Sequence, residues 1–205
     1  MCRMKSAIIL KDRVFIPDYD SHTDMLNELG IEDIITNAER LFVRAELYPK
    51  NDDVFSDIDG WTFKVDQDIR PDWFVEEYEK SRMITAVKEW AKEHIHIGID
   101  GLKIDSGKNH YIKDCKDVSC GNSTVEACGN STVEACGNST VEAWDNSTVK
   151  AWDNSTVKAC GNSTVIKDIR SSFNSERLIL SENSTFKDCF AKIIYQSGGW
   201  EIRSL

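Results

Sequence analysis

Residues 120–127 read Cys120-Gly121-Asn122-Ser123-Thr124-Val125-Glu126-Ala127, and the octad returns at 128–135, 136–143, 144–151 and 152–159, with a sixth copy from Cys160 that departs after Val165. The Asn-Ser-Thr-Val core recurs six times without a gap, with echoes at Asn174-Ser175 and Asn183-Ser184-Thr185-Phe186. Eight residues are too few for a helical repeat, which needs about 33 or more. They fit one short strand and one tight turn. Two-residue alternation then orients the unit. Glu126, Glu134, Glu142, Lys150 and Lys158 share one position and must face water. Val125 and Ala127, with their equivalents, therefore face inward, as does Ser123. Thr124, Thr140 and Thr156 face outward. So does the position that switches between cysteine and tryptophan (Trp144 and Trp152), because a close-packed interior would not accept that change of volume. Gly-Asn or Asp-Asn supplies the turn, where positive φ is often needed.

Stacked octads make a parallel β-solenoid, a β-helix or β-roll, with a thin core of Val, Ala and Ser. Two octads per coil give a flattened roll of 16 residues and three a triangular coil of 24. The small inward residues fill a narrow gap better, which favours 16. Residues 102–118, with the larger Tyr111 and Ile112, are expected to form the opening coil. Residues 173–195 carry Leu178, Ile179, Leu180, Phe186, Phe190, Ile193 and Ile194, and read as the cap that covers open strand edges. The stretch 198–205 is expected to seal the end or to meet a second copy. The solenoid domain is thus placed at 102–205, with its repeats at 120–166.

Residues 1–101 carry a different pattern, that of a small acidic α+β domain. Residues 7–10 and 14–16 predict a hairpin. Asp20 or Ser21 caps a helix that runs to Leu29 and ends at Gly30. Residues 41–48 and 61–65 alternate as strands. The clearest helix lies between Asp72 and Ile95, with Met83, Val87, Trp90 and Ala91 on one face. Residues 95–99 read as a strand leading into the solenoid.

The chain of 205 residues holds 25 basic and 35 acidic side chains, a formal net charge of −10. Residues 1–100 carry 13 basic and 22 acidic groups, so nearly all of the excess sits there. That balance argues against coating nucleic acid and against anchoring on anionic lipid. No apolar run approaches the roughly 20 residues of a membrane span, and residues 7–10 are too short for a signal-peptide core. The expectation is a cytoplasmic protein. Its seven cysteines are an odd number without a Cx2C pair, which favours free surface thiols over disulfides or a zinc ribbon. With 16-residue coils, Cys120 and Cys136 are expected to stack one coil apart.

Asp18, Asp20, His22 and Asp24 are metal-capable and fall on alternate positions. A calcium loop would want Gly and Glu where Thr23 and Leu29 stand, so the segment reads as a helix-capping loop. His94 and His96 lack a third ligand at useful spacing, and His94 suits a helix C-terminus. The Asn-Ser-Thr triplets match a glycosylation acceptor, discounted here as turn chemistry. No catalytic constellation, phosphate loop or nucleophile elbow can be assigned. No enzyme activity, cofactor or metal is expected. What stands out is Asp52, Asp53, Asp57, Asp59, Asp66, Asp68 and Asp72, seven carboxylates against Lys64 and Arg70.

The octads resemble tandem-octad β-solenoid proteins met in phage, prophage and gut-bacterial sequence. The block Phe63-Lys-Val-Asp-Gln-Asp-Ile-Arg-Pro-Asp-Trp-Phe74, with the Trp90 helix after it, is similar to the domain attached to such repeats. The resemblance implies a mobile-element context and no chemistry. Pentapeptide-repeat gyrase binders are similar only in kind, as acidic solenoids that imitate DNA. The function expected is therefore a non-enzymatic binding protein that inhibits a host defence nuclease, of anti-CRISPR or anti-restriction type. The partner is a host protein with a basic surface, which the aspartates would occupy. No direct contact with nucleic acid or membrane is expected, and a homodimer is the other association considered. The alternative is a structural or assembly solenoid, in a virion or a self-associating scaffold. Ice or glycan binding by the Thr and Trp rows ranks third, since the Glu/Lys ladder spoils a flat uncharged face.

Overall fold

The computed structural model describes residues 4–197 and 203–204. Its contacts divide the chain after Glu93 into two compact units. Cys2, and most of the stretch 198–205 expected to close the solenoid, lie outside the described residues.

The first unit runs β1 (Lys5–Leu10), β2 (Val14–Phe15), α1 (His22–Glu28), α2 (Ile35–Ala38), β3 (Phe42–Tyr48), β4 (Thr62–Val65) and α3 (Glu76–His94). The strands form one antiparallel sheet in the order β2-β1-β3-β4. The predicted hairpin is β1–β2. Ser21 caps α1 by accepting from the Asp24 N–H at 3.2 Å, and the chain turns away at Gly30 with φ 67°. Met25 and Leu26 of α1 pack with Ile8, Ala38 and Phe42 in one cluster. Helix α2 went unforeseen because four residues are too few to show a period. On α3 the predicted apolar face is present, with Met83, Val87 and Ala91 buried. Two buried charges are paired. Lys5 donates to Asp20 at 3.0 Å and lies 4.9 Å from the Trp90 ring. Burial lowers its pKa, against the pull of the Asp20 carboxylate. Arg82 holds the buried Glu79 at 2.8 Å.

The second unit is a parallel β-solenoid of about four turns over residues 95–166. Its strands are β5 (Ile95–Ile97), β6 (Lys103–Ile104), β7 (Gly107–Lys113), β8 (Val118–Cys120), β9 (Ser123–Cys128), β10 (Thr132–Ala135), β11 (Thr140–Ala143), β12 (Thr148–Ala151), β13 (Thr156–Ala159), β14 (Thr164–Lys167), β15 (Leu178–Leu180), β16 (Thr185–Asp188), β17 (Ile193–Gln196) and β18 (Arg203–Ser204). Odd strands β5–β15 make one sheet; even strands β6–β16 make the other, which β17 and β18 extend antiparallel. The stack takes in β5, which pairs in parallel with β7 ahead of residue 102. Thr124 pairs with Thr140 and Thr140 with Thr156, so a coil holds two octads, or 16 residues.

The core is built from rows. Val125, Val141 and Val157 form one; Ala127, Ala143 and Ala159 another; all are fully buried. The serine row is buried too, and several of its hydroxyls, though not those of Ser139 and Ser155, donate to carbonyls. Ser131 donates to the Cys128 carbonyl at 2.6 Å and Ser163 to that of Cys160 at 2.7 Å. Such bonds offset a desolvation cost of about 1–3 kcal/mol per hydroxyl. Towards the cap the rows end in larger groups, with Phe186 beside Val165 and Phe173 buried against the same core.

The corners explain why Cys-Gly and Trp-Asp alternate. Asp114, Gly129, Asp145, Gly161 and Glu182 follow one another down one corner, all left-handed, with φ of 55°, 64°, 57°, 65° and 57°. The carboxylate of Asp145 accepts from the Gly129 N–H at 3.0 Å and that of Glu182 from Gly161 at 2.7 Å. At the other corner Asp153 accepts from Gly137 at 3.2 Å. A Cβ added at Gly129 would collide with the Asp114 carboxylate, at Gly137 it would crowd the Asn122 amide, and at Gly161 the Asp145 backbone, in each case one coil away.

Two expectations need correction. The six described thiols form no disulfide, but Cys115, Cys120, Cys128 and Cys160 are buried, and Cys136 and Cys189 half-buried. Cys115 and Cys120 belong to the core itself, whereas Cys128 and Cys160 stand at the outward position, which in an in-register stack is covered by the residues above and below, about 4.8 Å away. Nor do Cys120 and Cys136 share a row, since Cys120 pairs with Ala135. Only Gly121 then stands between Cys120 and Asn122, one residue fewer than the corners of later coils. Cys120 thus occupies an alanine place, and burial pushes its thiol up to about 11.

The first coil is lined with imidazoles. His110 pairs with Val125 and His96 with Ile112, so both stand in core rows. His94 stacks on His110 with ring centroids 5.0 Å apart, and His96 lies 6.3 Å from His110, with interplanar angles of 16° and 13°. His94 is thus a buried ring in a stack as well as a helix terminus. Ring nitrogen lone pairs lie in the ring planes, so nearly parallel rings do not converge on one ion.

Candidate functional site

The acidic run occupies two loops and one strand of the first unit. The first loop turns at Asn51 and Asp52, both left-handed, with φ of 57° and 59°. Asp53 accepts from the Phe55 N–H at 3.0 Å, and Ser56 donates to the Asp53 carbonyl at 2.6 Å. Asp57 caps the 3-10 turn Ile58–Gly60, and Asp59 takes both 2.7 Å bonds from Lys88. The loop is pinned from beneath by Val54 and Trp61, each 2 % exposed. The Trp61 indole N–H donates to Ser56.

After β4 the second loop is clamped by Gln67. Its amide oxygen accepts from the Arg44 N–H at 2.9 Å, and its amide nitrogen donates to the carbonyls of Phe42 and Ile69 at 3.2 and 2.6 Å. Asp66 donates its backbone N–H to Arg44 at 2.9 Å. Asp68 lies on the rim of an open cleft of about 350 Å³ with Asp33, Ile34, Ile35 and Ile69.

Six of the seven aspartates are exposed and Asp53 is half-buried. They are not equivalent. Asp53 and Asp57 shape turns, Asp59 is neutralised by Lys88, and Asp66 lies 3.2 Å from His22. Among the described residues the side chains of Asp68 and Asp72 make no hydrogen bond or ion pair. Asp52 is also exposed, on the left-handed turn. The two loops leave Asp52, Asp68 and Asp72 exposed, and exposed carboxylates on pinned loops are the chemistry of attracting a basic surface.

On the solenoid, Thr124, Thr140 and Thr156 form one half-buried outward row. Beside it run Glu126, Glu142 and Lys158, with Lys158 bound to Glu142 at 3.3 Å. On the other sheet Lys150 holds Glu134 at 3.0 Å. Trp144 and Trp152 stand at the ends of β11 and β12, in different sheets, so they do not form one platform.

The metal-capable segment near residue 20 is dispersed. Asp20 accepts from Lys5 and from the Ser6 N–H, and Ser21 and Asp24 belong to the α1 cap. His22 instead meets Glu46 on β3 and Asp66 after β4, with one donor atom from each within 4.8 Å of the others. Local spacing could not reveal this group, because it depends on the β3–β4 register. A scan of protein-family models and searches of curated proteins and of solved structures find no match to this chain.

Proposed function

We propose that the chain is a non-enzymatic protein-binding module of phage or mobile-element origin, acting in the cytoplasm of a bacterial host. In this reading it inhibits a host defence nuclease, of anti-CRISPR or anti-restriction type, by covering a basic surface. The observation that carries it is the pinned acidic loop pair that leaves Asp52, Asp68 and Asp72 exposed. A fixed array of like charge steers a basic partner and loses its pull as salt screens it. Membrane attachment has no part in it, and no helix among the described residues is long and apolar enough to cross a membrane.

The test is affinity capture from bacterial lysate with the full chain and with a triple variant, Asp52→Asn, Asp68→Asn and Asp72→Asn. A nucleic-acid enzyme should be retained by the native chain, released by raised salt, inhibited in a cleavage assay, and held weakly by the variant. Equal retention by both baits would sink the acidic-surface reading.

The second reading, assembly, has its own observation. Strand β15 is the outer edge of its sheet with Ile179 58 % exposed. Beside it Leu178, Leu180, Phe186 and Tyr195 line a cavity of about 510 Å³. An open strand edge beside apolar surface favours end-to-end association. Light scattering across concentration should show growth beyond a dimer if assembly is the function.

A further inference from the structure

We propose that His22, Glu46 and Asp66 form a binding site for a divalent transition metal such as Mn²⁺, Fe²⁺, Co²⁺ or Zn²⁺. The inference is independent of the inhibitor reading.

Three observations carry it. The donors come from three places, the first residue of α1, strand β3 and the residue after β4, and lie within 4.8 Å of one another. The His22–Asp66 separation is 3.2 Å, close to the edge of a tetrahedron with arms of about 2 Å. The histidine is also oriented from behind. Its Nε2 is 3.3 Å from the Ala45 carbonyl oxygen, which can only accept, so that nitrogen carries the proton. Nδ1 then faces the Asp66 carboxylate, a second acceptor, and the gap between them must be filled by a proton or a cation. A carbonyl behind one imidazole nitrogen, with a carboxylate beside the other, is the arrangement that fixes metal-binding histidines.

The outer contacts agree. Glu46 accepts from the Tyr48 hydroxyl, which holds its carboxylate in place. The His22 side chain is 10 % exposed and that of Asp66 58 %, so the site opens to solvent on the aspartate side. One imidazole and two carboxylates suit Mn²⁺, Fe²⁺, Co²⁺ and Zn²⁺ better than the all-oxygen preference of Ca²⁺ or Mg²⁺. Three protein donors leave further positions for water.

Titration of the full chain with Mn²⁺, followed by the EPR signal of the free ion, tests this directly. Manganese is chosen because thiols bind it poorly, so the cysteines do not compete. One ion per chain should bind, and Asp66→Asn and Glu46→Gln should each weaken it by at least about tenfold. Asp12→Asn, an exposed carboxylate outside the three donors, should leave binding unchanged. Asp66 is exposed, so its variant keeps the fold. Absence of stoichiometric binding, or binding equally tight in Asp66→Asn, would overturn the proposal.

Discussion

The two units bury different cores and expose different charges. In the first, Ile8, Met25, Leu26 and Phe42 converge at a single place, each with neighbours of its own. In the solenoid Val, Ala and Ser recur in rows, and each residue meets its own equivalent above and below. Surface charge follows the same division. Solenoid carboxylates are answered one coil away by lysines, Glu134 by Lys150 and Glu142 by Lys158. In the first unit Asp68 and Asp72 have no such answer among the described residues. Repetition therefore makes a structure whose stability is spread over nearest-neighbour interfaces and whose surface is close to neutral. The aperiodic unit concentrates both stability and charge.

The largest effect that would sharpen this contrast is Phe42→Ala, on a fully buried ring. It should cost about 3–5 kcal/mol, read as loss of the first unit's unfolding transition in denaturant while the solenoid's β signal persists. Val141→Ala should cost less, about 2 kcal/mol. Val125→Ala and Val157→Ala should match it within about 0.5 kcal/mol, the additivity expected of equivalent sites. Unequal values would break the row description.

Smaller again is Gly161→Ala. Its φ is 65° and an added Cβ would lie 3.0 Å from the Asp145 nitrogen. The expected cost is about 1–2 kcal/mol, against roughly 0.5 kcal/mol or less for Gly60→Ala, whose added Cβ would meet nothing within 4 Å. Thermal melts of the two variants check it. The mildest effect concerns Cys120, whose folded pKa is raised to about 11 from 9.0 by burial. Its contribution to stability is full below about pH 9, where both states hold the proton. It is lost as pH rises towards 11, because the unfolded chain gives up the proton first. At pH 9, iodoacetamide should modify the half-buried Cys136 well before Cys120, as peptide mass mapping would show.

Much of this was legible in the sequence, and the reasons differ by region. The octads announce strand, inward face and turn because a charged position repeated five times fixes the phase of everything around it. Ser21 and the Met83–Val87 spacing mark their helices by local chemistry. What the sequence hid depends on register. Cys120 opens a segment spelled like the next octad, yet Val118-Ser119-Cys120 has the inward-outward-inward pattern of Val133-Glu134-Ala135, and that was the available signal. The burial of Cys128 and Cys160 escaped because an outward side chain was equated with an exposed one. The grouping of His22 with Glu46 and Asp66 joins residues far apart in the chain, and only the pairing of β3 with β4 brings them together. Seven aspartates were visible as a run; that caps and Lys88 occupy three of them was not.

The central claim is that binding belongs to the carboxylates of the first unit. Fluorescence anisotropy with a labelled arginine-rich peptide at low salt tests it, using two full-length variants of equal charge change. One is Asp52→Asn, Asp68→Asn and Asp72→Asn; the other is Glu126→Gln, Glu134→Gln and Glu142→Gln. The first should lower affinity at least about tenfold and the second by no more than about twofold. Equal losses in both would contradict the claim, leaving net charge alone as the attraction.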